Sequence, residues 1–222
     1  MTMLARIVVT GFEPWGPNAE NPTLEILDLL KAADDVEGDL TLLRLPVDSS
    51  KIAGITAKTL DEVEPDLWIS LGLATGLAVV AVERIAANIM DFAIPDNAGY
   101  HHRGDAVFAD GPAAHMATLP VELIVSHLRE SGIPAKISNS ASTYLCNQMM
   151  YTVLHLIAKK GMKTRAGFIH VPAHPRLAAL QQYPLAEMPS MSVELMAEAV
   201  KKVIHLSLGG ENGESGLPSI AL

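Results

Sequence analysis

The chain carries one cysteine, Cys146. It follows a run of small, mostly polar residues, Ser138-Asn139-Ser140-Ala141-Ser142-Thr143, and opens an apolar helical stretch from Leu145 to Ile157. A thiol in the first turn of a helix lies near the positive end of the backbone dipole. That position favours thiolate, the form that attacks carbonyl carbons. A lone histidine, His170, ends the apolar segment Gly167-Phe168-Ile169-His170-Val171-Pro172, and a lone glutamate, Glu83, interrupts Val79-Val80-Ala81-Val82-Glu83-Arg84-Ile85. Thiol, imidazole and carboxylate that are remote in sequence can meet in a fold as nucleophile, base and orienter. Taken singly, each has a plainer reading: a small buried hydrophobe, a hydrogen-bonded core histidine, an ion pair on a strand. Arg84 is a poor partner for that ion pair, because neighbouring strand residues point to opposite faces.

Other clusters are weaker. His101 and His102 with Asp96 and Asp105 lack regular ligand spacing and fall in a loop, so a solvated or interface role is expected and no metal site is assigned. His170 and His174 are four apart, but Pro172 and Pro175 break any shared helical face. Gly72-Leu73-Ala74-Thr75-Gly76 is too loose for a dinucleotide loop, and no Gly-Lys-Ser/Thr phosphate loop occurs. No cofactor is implied.

The elements that must position these groups can be read in order. A strand over 6–10 is followed by a helix over 22–33, capped by Asn21 with Pro22 at its first position. A strand over 40–45, a helix to Val63 capped by Asp48, and a strand over 67–71 come next. Val79 to Met90 reads as one long strand, and Asp91 to Thr118 as a long functional loop with at most a short hairpin. A helix over 120–130, a strand over 135–139, a helix over 142–160 closed by Gly161, a strand over 166–171 and a helix over 192–206 complete the pattern. Alternating strands and helices predict a single α/β domain over 1–208, a three-layer α/β/α sandwich with a mixed, mostly parallel central sheet. The tail 209–222 is expected to be disordered. Ligands of such sheets bind beyond the carboxyl ends of the strands, where Gly11, Gly72, His170 and the start of the Cys146 helix would converge.

Composition narrows the partners. With 222 residues, 49% of them hydrophobic, a large core is available. A formal charge of −9 argues against nucleic acid. One cysteine forms no internal disulfide or thiolate cluster and suits a reducing cytoplasm. The first residues do not read as a secretory leader, so none is expected, and no stretch is apolar and long enough to span a bilayer. A slightly positive mean hydropathy suggests apolar surface hidden in a homo-oligomer.

Several segments together resemble the pyroglutamyl peptidase I (pyrrolidone-carboxylate peptidase) family. They are Val9-Thr10-Gly11-Phe12-Glu13-Pro14-Trp15-Gly16 with Asn21-Pro22-Thr23; Glu83-Arg84-Ile85-Ala86-Ala87-Asn88 with Ile94-Pro95-Asp96-Asn97; Gly111-Pro112 with Thr118-Leu119-Pro120; Ser138 to Asn147 with Tyr151; and Ala166 to Pro172. They run in the family's order from first strand to last. The resemblance implies a cytosolic cysteine peptidase, commonly a homotetramer, that removes an N-terminal pyroglutamyl residue from small peptide substrates. It implies Cys146 as nucleophile, His170 as general base and Glu83 as the carboxylate that orients it. Phe12, Trp15, Asn21, Leu73, Ile94, Tyr144 and Leu145 match substrate-pocket positions. The sequence departs from the family pattern at Leu73, where glutamine is usual, and at Leu77 and Ala93, where arginine is usual. A triad-bearing amidase for another small N-acyl or lactam compound, or a non-catalytic binding protein on the same scaffold, remain open alternatives.

Overall fold

The computed structural model describes residues 4–36, 38–180 and 188–210. Its elements in chain order are β1 (Arg6–Phe12), α1 (Pro22–Ala32), β2 (Asp39–Leu45), α2 (Ser49–Val63), β3 (Leu67–Leu73), β4 (Val80–Glu83), β5 (Ile85–Ala87), β6 (Met90–Asp91), β7 (Arg103–Asp105) and β8 (Ala114–Met116). There follow α3 (Val121–Glu130), β9 (Ala135–Ser138), α4 (Leu145–Lys160), β10 (Arg165–Val171), α5 (Pro175–Leu180) and α6 (Val193–Ser207). A six-stranded sheet in the order β2-β1-β3-β10-β4-β9 forms the middle layer. Every neighbouring pair is parallel except β4 with β10, so the sheet is mixed and mostly parallel, as expected.

Strand alternation builds the layers. Ile7, Val9, Ile69 and Ile169 join one buried cluster with α1, α3 and α6, while Val8, Trp68 and Phe168, one residue out of phase, join another with α2 and α4. The central strands β3 and β10 are covered on both faces and therefore read as unbroken apolar runs. Local rules place most helix ends. Asn21 caps α1 by accepting the Thr23 N–H, Asp48 caps α2 through Ser50, and Gly161 closes α4 in a left-handed turn at φ 64°.

Three expectations need correction. Val79 to Met90 is not one strand. β4 stays in the main sheet, β5 leaves it to pair with β8, and β6 pairs with β7. The Asn147 side chain takes the hydrogen bonds such a departure leaves open, accepting from Ala87 N–H at 2.9 Å and donating to the carbonyls of Ala87 and Ile89. The loop 91–118 is consequently more ordered than its composition suggests, because β7 and β8 pair with strands that precede it. α4 begins at Leu145, three residues later than expected, because Ser142 takes a left-handed φ of 66° and Tyr144 is extended. The short α5, only six residues long and anchored through Leu177 on Leu73 and Ala173, had no visible period. Beyond Gly210, the tail lies outside the described residues.

Candidate active site

β4 and β10 place carboxylate beside imidazole. In their antiparallel register Glu83 lies opposite Phe168, so it shares a sheet face with His170, two residues further on. The Glu83 Oε1 to His170 Nδ1 distance is 2.8 Å, with Glu83 1% and His170 7% exposed. That contact puts a ring proton on Nδ1 and leaves Nε2 for another partner. On that side stands Cys146, the second residue of α4, whose sulfur packs over Gly72, the residue opposite His170 in the neighbouring strand. Burial works against a charged imidazole, but the neighbouring Cys146 sulfur, through its charge and its hydrogen bond, and then Glu83 raise the His170 pKa to about 9. Arg84 turns the other way and pairs with Glu122 at 2.8 Å.

Gly72 makes the approach of sulfur to the sheet possible. It sits opposite His170 in the β3–β10 register, and a Cβ there would lie 2.9 Å from the Cys146 sulfur and 2.7 Å from the Phe168 ring. Beside the sulfur, Phe12, Trp15, Asn21, Val47, Leu73, Tyr144 and Leu145 line a small, largely apolar pocket. It opens at the carboxyl ends of β1, β2 and β3 and at the N-terminus of α4.

Residues 5–208 match the family model described as pyroglutamyl peptidase. The chain belongs to the pyroglutamyl peptidase family. It is 42% identical over 205 residues to the pyrrolidone-carboxylate peptidase of Thermococcus onnurineus, covering 91% of this chain and 98% of that protein. It is also 42% identical over 207 residues to the enzyme of that name from Pyrococcus furiosus, with the same coverage. The fold matches the solved pyrrolidone carboxyl peptidase of Thermococcus litoralis with a TM-score of 0.85 at 39% identity, covering 92% of this chain and 93% of that one.

Within this member of the family, six of the seven pocket residues expected from sequence line the cleft together. Ile94 does not. It is 41% exposed and its side chain sits over Gly16. Asn21 spends its side chain on the cap, accepting from Thr23 N–H and Oγ1 and donating to the Glu13 carbonyl, so it offers the pocket mainly backbone. Leu73 is buried against Trp15, Ala173 and Leu177 and presents no side-chain amide to the cleft. Ala93 is exposed and Leu77 half-buried, so neither departure leaves a buried charge without a partner. Burial, then the nearby Asp96 and Cys146 charges, push the Tyr144 phenol up to about 12, and it donates to the Pro95 carbonyl at 3.2 Å. The ring therefore forms pocket wall while the hydroxyl holds the 91–96 segment.

The loop histidines form hydrogen bonds instead of a convergent ligand set. His101 meets the Phe92 carbonyl, and His102 bridges Asp105 and Ser49. Burial works against the Asp96 charge, but hydrogen bonds from Ser49, Tyr100 and Ala98 hold its carboxyl below the usual range. Two residues of consequence had little sequence signal. Val47 lines the pocket from the β2–α2 connection, where only its place at a strand's carboxyl end pointed to it. Asn147 lies beside the nucleophile candidate but works by fixing the bend after β4.

Proposed function

We propose that this chain is a cysteine peptidase that removes an N-terminal pyroglutamyl residue from peptides, with Cys146, His170 and Glu83 as its reacting set. The observation that carries the reading is the buried Glu83–His170 pair with Cys146 beside it at the edge of an apolar pocket. The thiol proton passes to His170 Nε2, and sulfur attacks the pyroglutamyl carbonyl carbon. As the C–N bond breaks, His170 returns the proton to the leaving amine, giving a thioester. Water then gives a proton to His170 and attacks the thioester, and the proton returns to sulfur as pyroglutamate leaves. Glu83 holds the ring in the tautomer this sequence needs and stabilises the imidazolium between transfers.

The first turn of α4 suits the developing oxyanion. Tyr144 caps it without a side-chain hydrogen bond, and the first N–H to reach back within the helix is that of Gln148, bonded to the Tyr144 carbonyl. The N–H groups of Leu145, Cys146 and Asn147 thus have no intrahelical acceptor and sit at the positive end of the dipole. A lactam ring suits a pocket of Phe12, Trp15, Tyr144 and aliphatic side chains, with backbone near Asn21 and Leu73 supplying polar contacts. Leu73, Leu77 and Ala93 favour a second reading, a related small N-acyl or lactam substrate processed by the same relay.

A fluorogenic pyroglutamyl amide decides between these. The wild type is expected to release the fluorophore, and Cys146→Ala to be inactive. Alkylation of Cys146 by iodoacetamide without turnover of the amide would transfer the reading to another acyl group. Robust turnover by Cys146→Ala would remove the thiol mechanism. The match over 5–208 supports a single domain to about residue 208. We infer a cytoplasmic homo-oligomer, a tetramer by resemblance. A lone free thiol and the exposed side chains of Tyr100 and Met116 support it, and light scattering in solution tests the assembly. Among the described residues no helix is long and apolar enough to cross a membrane.

A further inference from the structure

The connection from β10 to α5 carries a polar cluster that the reaction does not use. His174 is 3% exposed, four residues beyond His170. Its Nδ1 accepts the Leu177 N–H at 2.9 Å. An acceptor at Nδ1 puts the ring proton on Nε2. That nitrogen lies 3.1 Å from Glu25 Oε1 and 3.3 Å from Glu20 Oε2 but is aligned for a hydrogen bond with neither, so its N–H faces the two carboxylates through an electrostatic contact. The other Glu20 oxygen pairs with Arg176. Glu20 is thus gripped by two side chains of the segment that follows His170.

Glu20 directly precedes Asn21, and both belong to the loop between β1 and α1. That loop also carries Trp15, which packs on Leu73, Ala173 and Leu177. Trp15 and Asn21 line the pocket. The wall of the pocket is therefore fastened to the histidine-bearing segment twice, by an apolar contact through Trp15 and by a polar one through Glu20.

We propose that Glu20, held by His174 and Arg176, is a positioning residue that sets the pocket wall for the acyl group. The inference rests on the pyroglutamyl peptidase reading for what the wall binds. Three ligand atoms of Glu20, Glu25 and His174 lie within 4.8 Å of one another, a spacing that also fits a divalent cation. A cation on Nε2 would need the ring proton moved to Nδ1, where it would face the Leu177 N–H and break that bond. A latch made of the Arg176 ion pair and the His174 contact keeps every group as it stands.

Kinetics and hydrogen exchange on the full-length protein test it, with Glu20→Ala, Glu20→Gln and Arg176→Ala beside the wild type. Glu20→Ala is expected to raise KM for the pyroglutamyl amide about tenfold while kcat stays within about threefold. Iodoacetamide should alkylate Cys146 at the wild-type rate, since the relay is untouched. Amides of residues 15–24 should exchange about tenfold faster. Glu20→Gln and Arg176→Ala should move KM and exchange the same way by less. Unchanged KM and exchange in Glu20→Ala would overturn the latch. So would an equal fall in kcat and alkylation rate, or saturable zinc binding by the wild type that Glu20→Ala abolishes. If the wild type turns over no pyroglutamyl amide, the peptidase reading fails, and exchange alone upholds or overturns the latch.

Discussion

Replacing Gly72 with alanine adds one methyl group where the structure has no room. The new carbon would stand 2.7 and 2.8 Å from two atoms of the Phe168 ring and 2.9 Å from the Cys146 sulfur. Non-bonded heavy atoms settle at about 3.5–4.0 Å, so each contact is short by roughly 0.6–1.3 Å. Phe168 is fully buried and its ring packs 4.9 Å from that of His170, so it has nowhere to swing. Gly72 has no left-handed backbone angle, so the effect is steric alone. Overpacking of this kind costs about 1–3 kcal/mol. Sulfur is the neighbour on the open side, and it takes much of the shift. A displacement of about 1 Å at a reacting atom costs on the order of 100-fold in rate. Gly72→Ala is therefore expected to fold with about 2 kcal/mol less stability, and to lose about 100-fold in kcat on the fluorogenic amide, with alkylation of Cys146 altered in parallel. Gly54→Ala is the matched control. It lies in α2 with no foreign atom within 4 Å, and should gain about 0.5–1 kcal/mol with unchanged activity. A natively folded Gly72→Ala protein with kcat within threefold of wild type would refute the packing of sulfur over β3.

Three further outcomes are expected. Glu83→Gln preserves volume but loses the charge that holds the Nδ1 proton, so kcat should fall about 10³- to 10⁴-fold while thermal stability changes much less, as single-turnover assays and melting curves will show. His170 is raised from 6.5 to about 9 by the Cys146 charge and Glu83 acting against burial; its contribution to stability is thus complete below about pH 6.5 and is lost as pH rises through about 9, so urea titrations of wild type should weaken over that window more than those of His170→Ala. Ser142 holds a left-handed φ of 66° in the exposed approach to Cys146, and Ser142→Gly should stabilise the fold by up to about 1 kcal/mol in chemical denaturation, with kcat unchanged.

Sequence alone specified whatever depends on a few adjacent residues. Asn21-Pro22 and Asp48 started their helices, Gly161 ended one, and the apolar runs of β3 and β10 read as strands, because caps and side-chain periods act within a turn or two. Cys146, Glu83 and His170 stood out as chemically suited residues in promising local settings, and ordered motifs related them to a family. Whether they touch depends on strand pairing. Glu83 and His170 are 87 residues apart, and only the antiparallel insertion of β4 beside β10 turns both side chains to one face. The break after Glu83 was hidden for the same reason, since the amide that supports it belongs to Asn147, on a helix some sixty residues away in sequence. Val47 and the Glu20–His174 contact likewise join segments with no common local pattern. Local stereochemistry thus decided the elements and the available chemistry. Tertiary structure decided which groups share a face, because desolvation and directional hydrogen bonds act only between atoms the completed chain has brought together.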